Sequence, residues 1–356
     1  MKKVLIVTPE LKLAGGVSSY WNAIIPELKK EKNSVIDNFE VGGNGLNLFG
    51  PIRDQLNFRR HIKRDYDAAL LNPSLGVKSF FRDSFFAKRL KKKEIPFIVF
   101  FRGWDLDFEK KVTERYRKYF LRTFGNAKRI IVLSEDFKKK IRQWGYKGSI
   151  TVESTTINSK LITDFKIEDK LNNLENLETV KILFLSRILR EKGLFETVEA
   201  FRSLCKDYSN LELYIAGDGK DFDSLVSKVS MDDNIFVLGH IEGDTKSKLF
   251  KDCHIYCLPS YSEGLPNSLL EAMAFGLTVI TTRVGGLNDF FQPENMGYFV
   301  KVRDENQISE KLKFLIDNPK KMIPIANFNF NYANKNLLSN IVAKRILKLI
   351  KAAMND

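Results

Sequence analysis

Long hydrophobic runs are missing from this 356-residue chain, and the first apolar stretch, Val4-Leu5-Ile6-Val7, is closed by Pro9 and Glu10. That run is too short for a signal-peptide core and carries no cleavage pattern, so nothing in it directs export and a cytoplasmic protein is expected. Cysteine is scarce. Cys205, Cys253 and Cys257 cannot all pair, and no second cluster turns the Cys253/Cys257 spacing into a zinc site, so all three read as reduced packing residues. Histidine is equally rare: His61 sits in a basic run and His254 adjoins Cys253, and neither joins a metal-ligand constellation. The G-x-G-x-x-G dinucleotide fingerprint and the Walker G-x-x-x-x-G-K-[ST] loop are both absent, which counts against NAD and ATP chemistry. There is no short tandem repeat and no low-complexity tract.

What is present describes a folded globular chain: 44% hydrophobic and 29% charged residues leave it neither disordered nor membrane-spanning. The length is about twice that of a usual domain, so two cores are expected. The net charge of +14 is lopsided, because residues 1–150 hold 32 Lys/Arg against 16 Asp/Glu and residues 151–356 hold 26 against 28. A one-sided basic surface fits an anionic partner: nucleic acid, anionic lipid or a phosphate-bearing substrate. Residues 78–93 interleave phenylalanines with cations. At helical spacing Phe81, Phe85 and Phe86 form either an apolar stripe for an anionic membrane interface or the core-facing side of a helix with a solvated basic back.

From Val180 onward short apolar runs alternate with amphipathic segments. Strands are expected at 181–187, 211–216, 235–238, 255–258, 278–282 and 298–302, with helices such as 194–207, 245–251, 267–275 and 305–315 between them. The first half repeats this more loosely, with strands at 4–8, 68–71, 97–101 and 129–133. Val/Ile/Leu-rich strands joined by helices make a parallel sheet covered on both faces, so the fold class is α/β with two doubly wound Rossmann-like domains. The polar stretch 159–178 reads as the linker, which divides the chain into domains at 1–165 and 175–335. An amphipathic helix at about 337–356 is expected to pack on either domain. Ligands in such sheets bind beyond the carboxyl ends of the strands.

Three loops there carry chemistry. Gly15-Gly16 opens a helix after the first strand, where backbone amides approach a phosphate, although a simple turn has the same spelling. Ser186 to Gly193 places Arg187 and Lys192 at the edge of the second sheet, where the two cations either neutralise a diphosphate or are solvated surface charge. The third loop runs from Leu258 to Gly276 and holds Glu263 just ahead of a helix and Glu271 inside it, with Pro266 suited to the helix's first turn. Eight residues at about 1.5 Å each separate the two carboxylates by roughly 10 Å. They can therefore bond hydroxyls at both ends of one ligand whose diphosphate faces the helix N-terminus.

The ensemble of Ser186–Gly193, Ala216-Gly217-Asp218-Gly219, Leu238-Gly239-His240, the Glu263/Glu271 E-x7-E motif and Val284-Gly285-Gly286 resembles the retaining GT-B glycosyltransferases of the GT4 group, also called glycosyl transferases group 1. The resemblance implies two Rossmann-like domains facing a central cleft, and transfer of a sugar from a nucleotide diphosphate donor, UDP favoured, with retention and without metal. It implies a glycan or lipid-linked glycan acceptor in cell-surface polysaccharide biosynthesis, with the enzyme cytoplasmic or peripheral on the inner membrane face. Arg187 and Lys192 would bind the donor phosphates, Glu263 the sugar hydroxyls and Glu271 the ribose. Gly217 lies in the donor motif, the stretch Gly264, Leu265, Pro266 and Asn267 would offer backbone amides from its residues other than proline, His240 and Ile241 would border the base, and Gly15 and Gly16 would face the β-phosphate. Where the family commonly has a histidine after a first-domain strand, this chain has Arg102, which positions or stabilises charge but is no general base at neutral pH. Asp105-Leu106-Asp107 spells D-x-D, but its place in the first half fits an acceptor or loop role. Two other readings stand beside this one: another GT-B enzyme, such as a nucleotide-sugar epimerase or a phosphorylase, and a non-catalytic nucleic-acid-binding protein. The second leaves the E-x7-E ensemble unexplained.

Overall fold

The computed structural model describes residues 1–13, 15–42 and 50–355. Ala14 before the Gly15-Gly16 pair, residues 43–49 of the first half and Asp356 lie outside the described residues. The chain divides into two compact units, one of Met1–Thr156 with Ser339–Asp356, the other of Ile157–Leu338.

The first unit contains β1 (Lys2–Pro9), β2 (Ser34–Val41), β3 (Ala68–Leu71), β4 (Ser74–Leu75), β5 (Phe97–Phe100), β6 (Gly103–Trp104), β7 (Arg129–Val132) and β8 (Ser149–Val152). Six of them form a parallel sheet in the order β2-β1-β3-β5-β7-β8, and β4 and β6 pair separately. The central strands are apolar throughout because both faces are covered, as a parallel sheet requires. The edge strands β2 and β8 were not foreseen: Ser34–Val41 is polar and half-exposed, and all four residues of Ser149–Val152 lie outside the buried core, so neither shows a continuous apolar run.

One face of this sheet is covered by the helices Gly16–Lys29 and Ser339–Asn355. Val342, Ile346, Leu347 and Ile350 of the last helix are buried with Val4, Ile6, Leu70, Ile98 and Phe100 of the strands. The final helix thus belongs to the first unit, and Arg345 on it donates to Glu153 Oε1 at 2.6 Å. The opposite face is covered by Gly50–His61, Val77–Lys92, the helical run from Leu106 to Arg122, and Glu135–Gln143. Here the phenylalanines of residues 78–93 find their place. Phe80 and Phe86 are fully buried and Phe85 packs at the core, which leaves only Phe81 exposed, at 37%. Of the two readings of this stretch, the core-facing one holds for Phe85 and Phe86, because those side chains pack at the core.

The second unit has β9 (Val180–Leu185), β10 (Leu211–Ala216), β11 (Ile235–Gly239), β12 (Ile255–Leu258), β13 (Thr278–Thr282) and β14 (Gly297–Val300), all parallel in the order β11-β10-β9-β12-β13-β14. This is the doubly wound order whose direction of growth reverses between the first and fourth strands, here β9 and β12. The stretch 159–178, read from its polarity as the linker, lies within the second unit. It forms a 3-10 turn and the helix Ile167–Glu175; Ile162 of the turn and Ile167 and Leu174, seven residues apart on the helix, enter the core, so these apolar positions outweigh the asparagines around them. His254 is structural, as its surroundings suggested: Nδ1 accepts from Lys181 N at 3.0 Å, Nε2 meets Asn173 Oδ1 at 2.6 Å, and burial lowers the imidazole to about 3. All three cysteines are free. Among the described residues no helix is long and apolar enough to cross a membrane.

Candidate active site

The loops that follow β9, β10, β12 and β13 interlock at the carboxyl edge of the second sheet. Ser186 N donates to Ala216 O at 3.2 Å and Ile188 N to Asp218 O at 2.9 Å, which ends β9 at Leu185 rather than at 187. Asp221 Oδ2 accepts from Arg190 N at 2.8 Å and fixes the short turn Arg190–Lys192. Gly193 follows with φ 73°, and a Cβ there would lie 2.3 Å from Pro259 O, so only glycine lets the loop after β9 press on the loop after β12. Tyr261 N donates to Glu191 O at 2.9 Å and closes the contact.

This contact carries Lys192 to Glu263, Nζ to Oε1 2.5 Å, with both side chains about nine-tenths buried. Ser260, itself fully buried, donates to the same carboxylate oxygen at 3.0 Å, and Thr282 Oγ1 donates to Ser260 O. The loop after β13 holds the turn from its other side. Gly285 has φ 53°, a Cβ there would meet Glu263 O at 1.8 Å, and Gly286 N donates to Gly264 O at 2.6 Å. Glu263 is thus fixed through both its backbone and its side chain.

Glu271 is the fifth residue of the helix Asn267–Ala274, and Pro266 is the residue just before that helix rather than part of its first turn. Leu269, Leu270, Ala272 and Met273 are fully buried, so Glu271 takes what remains of the helix surface, with its side chain 12% exposed. The Lys246 ammonium lies 2.6 Å from Glu271 Oε2, off the hydrogen-bonding direction, so this oxygen has a charge partner but no aligned donor among the described residues. Burial raises the Glu271 carboxyl above its ordinary value and Lys246 pulls it partly back. Both carboxylates of the motif are therefore paired with a lysine from another loop or helix.

The remaining expected residues fall less uniformly. Arg187 is exposed at the end of β9. Gly217 packs directly on Ser186 O, which gives it a structural part in the loop contact. His240 is exposed, with Nε2 2.9 Å from Glu242 Oε1, while Ile241 and Leu265 pack on the core beside the motif. In the first unit, Gly15 caps the helix Gly16–Lys29. Arg102 follows β5, its guanidinium carbon is 3.6 Å from the centre of the Tyr20 ring on that helix, and Nη2 donates to Thr155 Oγ1 at 2.7 Å. Arg102 Nε and Nη1 and the Tyr20 hydroxyl are buried without an aligned hydrogen-bond partner among the described residues. Burial lowers the guanidinium to about 10, which leaves it charged at neutral pH: a fixed cation rather than a base. Sequence reasoning missed Lys246 and Tyr20 because each acts through a partner distant in the chain. It also missed Ser260, three residues from Glu263 and inside the motif, which had a local signal. Among the described residues no group of three or more His, Cys, Asp or Glu is placed to hold a metal ion.

Comparison with known proteins gives the following similarities. Residues 165–328, most of the second unit, match the family model described as Glycosyl transferases group 1. The chain is 26% identical over 202 residues to the putative teichuronic acid biosynthesis glycosyltransferase TuaC of Bacillus subtilis, covering 56% of this chain and 49% of that protein. It is 28% identical over 238 residues to the N,N'-diacetylbacillosaminyl-diphospho-undecaprenol alpha-1,3-N-acetylgalactosaminyltransferase of Campylobacter jejuni, covering 64% and 61%. The chain thus spans about half to three-fifths of the length of these relatives. HepE from Anabaena, solved in complex with UDP-glucose, superposes with a TM-score of 0.73 at 14% identity over 99% of this chain and all of that one. The fold is α/β with two Rossmann-like halves, as in GT-B glycosyltransferases.

Proposed function

We propose that the protein is a retaining, metal-independent glycosyltransferase that moves a sugar from a nucleoside diphosphate donor, UDP favoured, to a glycan or lipid-linked glycan acceptor in cell-surface polysaccharide synthesis. The observation that carries this reading is the pairing of Glu263 with Lys192 and of Glu271 with Lys246 at the point where the second sheet reverses its order. Two fixed carboxylates accept from sugar and ribose hydroxyls, and Lys192 with Arg187 supplies the positive charge that stabilises the leaving diphosphate. The backbone from Gly264 to Asn267 offers amides at a helix start. The name of the Campylobacter relative supports a lipid diphosphate acceptor and the HepE complex supports UDP. A cytoplasmic protein working at the inner membrane face fits such an acceptor. The test is transfer or donor hydrolysis with a panel of nucleotide sugars, with and without EDTA. Lys192→Ala and Arg187→Ala are expected to lower turnover far more than Glu271→Ala does. Strict dependence on added magnesium or manganese would overturn the metal-independent reading, and turnover of no nucleotide sugar would overturn the whole.

A further inference from the structure

Lysine is among the residue types least often buried, yet Lys170 on the helix Ile167–Glu175 is only 3% exposed. Its ammonium donates to the carbonyls of Phe250 at 3.3 Å, of Cys253 at 2.6 Å and of Lys251. These carbonyls stand at the C-terminal end of the helix Gly243–Asp252, which runs toward β12 with no glycine to close it. Cys253 is extended there, at φ −85° and ψ 157°, and its N–H returns to Leu249 O, while His254 N donates to Lys181 O. The Phe250 carbonyl is thereby left without a helical partner, and the three donors of one ammonium meet three acceptors at the negative end of the helix. Burial lowers that ammonium to about 8, so it is charged at neutral pH.

The same helix carries Lys246, the charge partner of Glu271. Lys246 lies one turn before Phe250, and its Nζ is 6.0 Å from the centre of the Phe250 ring. That ring is fully buried and stacks on the ring of Phe275 at 5.3 Å and 12°. Phe275 N in turn donates to Glu271 O at 3.3 Å, at the end of the helix Asn267–Ala274. A second tie on the Lys246 helix comes from the same part of the chain as Lys170: Ser247 Oγ donates to Leu161 O at 3.1 Å.

We propose that Lys170 is a positioning residue of the donor site, which binds the end of the helix Gly243–Asp252, fixes that helix along its axis and so holds Lys246 against Glu271. This rests on Glu271 being the ribose-binding carboxylate of the proposed function. An apolar side chain at position 170 would leave the carbonyls buried without donors, a cost that the helix end escapes by shifting. A cavity of about 500 Å³ beside Lys170, lined also by Asp169, Asn173, Lys251, Asp252 and His254, gives it room to do so. Lys246 is one turn away, and a helix passes a displacement of one end along its length as a rigid element.

The test follows the Glu271 carboxyl by carboxyl-carbon NMR in the full chain, with its signal assigned from Glu271→Gln, and needs no nucleotide. Lys246 and Tyr256 of β12, a buried neutral phenol, are the titratable groups whose charges couple to Glu271. Lys170→Met is expected to move the Glu271 titration to higher pH, the direction of Lys246→Met, and to weaken UDP binding in calorimetry by at least about twofold. In a Lys246→Met background the same substitution should do neither, because the lysine to be placed is gone. Leu312→Ala, which opens a cavity where the helix Glu305–Asp317 packs on Leu194–Leu204, should lower the thermal midpoint and leave the titration where it was. Should Lys170→Met not fold, Lys170→Gln, whose amide keeps two donors, takes its place with a smaller shift in the same direction. The proposal is overturned if the Glu271 titration does not move, or if Leu312→Ala moves it as much. It is equally overturned by the same shift in both backgrounds, which is the field of a lost charge and not a displaced lysine. A parent that binds no UDP would overturn the reading of the site, and the carboxyl titration would still decide whether Lys170 places Lys246.

Discussion

Glu271 and Lys246 show how much of this site depends on single side chains. A carboxylate that accepts from ribose hydroxyls must be ionised, yet burial raises its carboxyl and only the ammonium 2.6 Å away opposes the rise. The direction of the pH effect follows. Without Lys246 the carboxyl climbs further, so it is protonated, and no longer a double acceptor, at a higher pH than in the parent. Lys246→Met should therefore lose nucleotide affinity as pH falls from neutral into the mildly acidic range, while Lys246→Arg keeps the parent profile. Calorimetric titration with UDP across that range checks this, and parallel profiles for parent and Lys246→Met would remove Lys246 from the site. Glu271→Ala should weaken UDP binding at every pH, by about 1.5–3 kcal/mol for a charged hydrogen bond, and an unchanged affinity would free Glu271 of its assigned role.

Between residues and the whole molecule lie the loops and strands that hold the site. Gly285 is one of the tightest joints among them, since its φ of 53° and the 1.8 Å from a built Cβ to Glu263 O leave no room for a side chain. Gly285→Ala is expected to displace the Glu263 turn and weaken nucleotide-sugar binding roughly tenfold or more, the effect of about 1–3 kcal/mol of backbone strain at a functional turn. Equal affinities would mean that the loop after β13 does not hold the turn. At the opposite edge of the same sheet, His254 ties β9 to the helix Ile167–Glu175 as a neutral imidazole. Its folded value of about 3 lies below the ordinary 6.5, so between those values the unfolded chain binds more protons and stability is lost as pH falls through that window. Urea unfolding should show a smaller acid loss for His254→Gln than for the parent. Identical pH dependences would place the acid sensitivity elsewhere. Neither joint has a spelling in sequence: a glycine pair and a lone histidine look the same whether they bear such contacts or not.

For the molecule as a whole, the division of the chain is the least local property, because the last helix returns to the first unit after the second is complete. Ile346, fully buried among Val4, Leu70 and Phe100, is part of that return. Ile346→Ala should destabilise the first unit by about 2–5 kcal/mol, seen as a lower thermal midpoint, and an unchanged midpoint would mean that the helix contributes no core. By itself the sequence determined the parallel α/β class, the apolar central strands, the E-x7-E motif and the one-sided charge, because burial on both faces and a family's loop spelling leave local marks in composition and spacing. It could not determine that 159–178 is a helix packed into the second core, that β2 and β8 complete the first sheet, or that Phe80 and Phe86 point inward while Ile52 and Leu106 stand out. Nor could it pair Lys192 with Glu263 and Lys246 with Glu271, partners 71 and 25 residues apart in sequence. Tertiary structure decided these, since which face of a half-polar segment is buried, and which distant cation meets a carboxylate, depends on the elements packed against it and not on the segment's own residues.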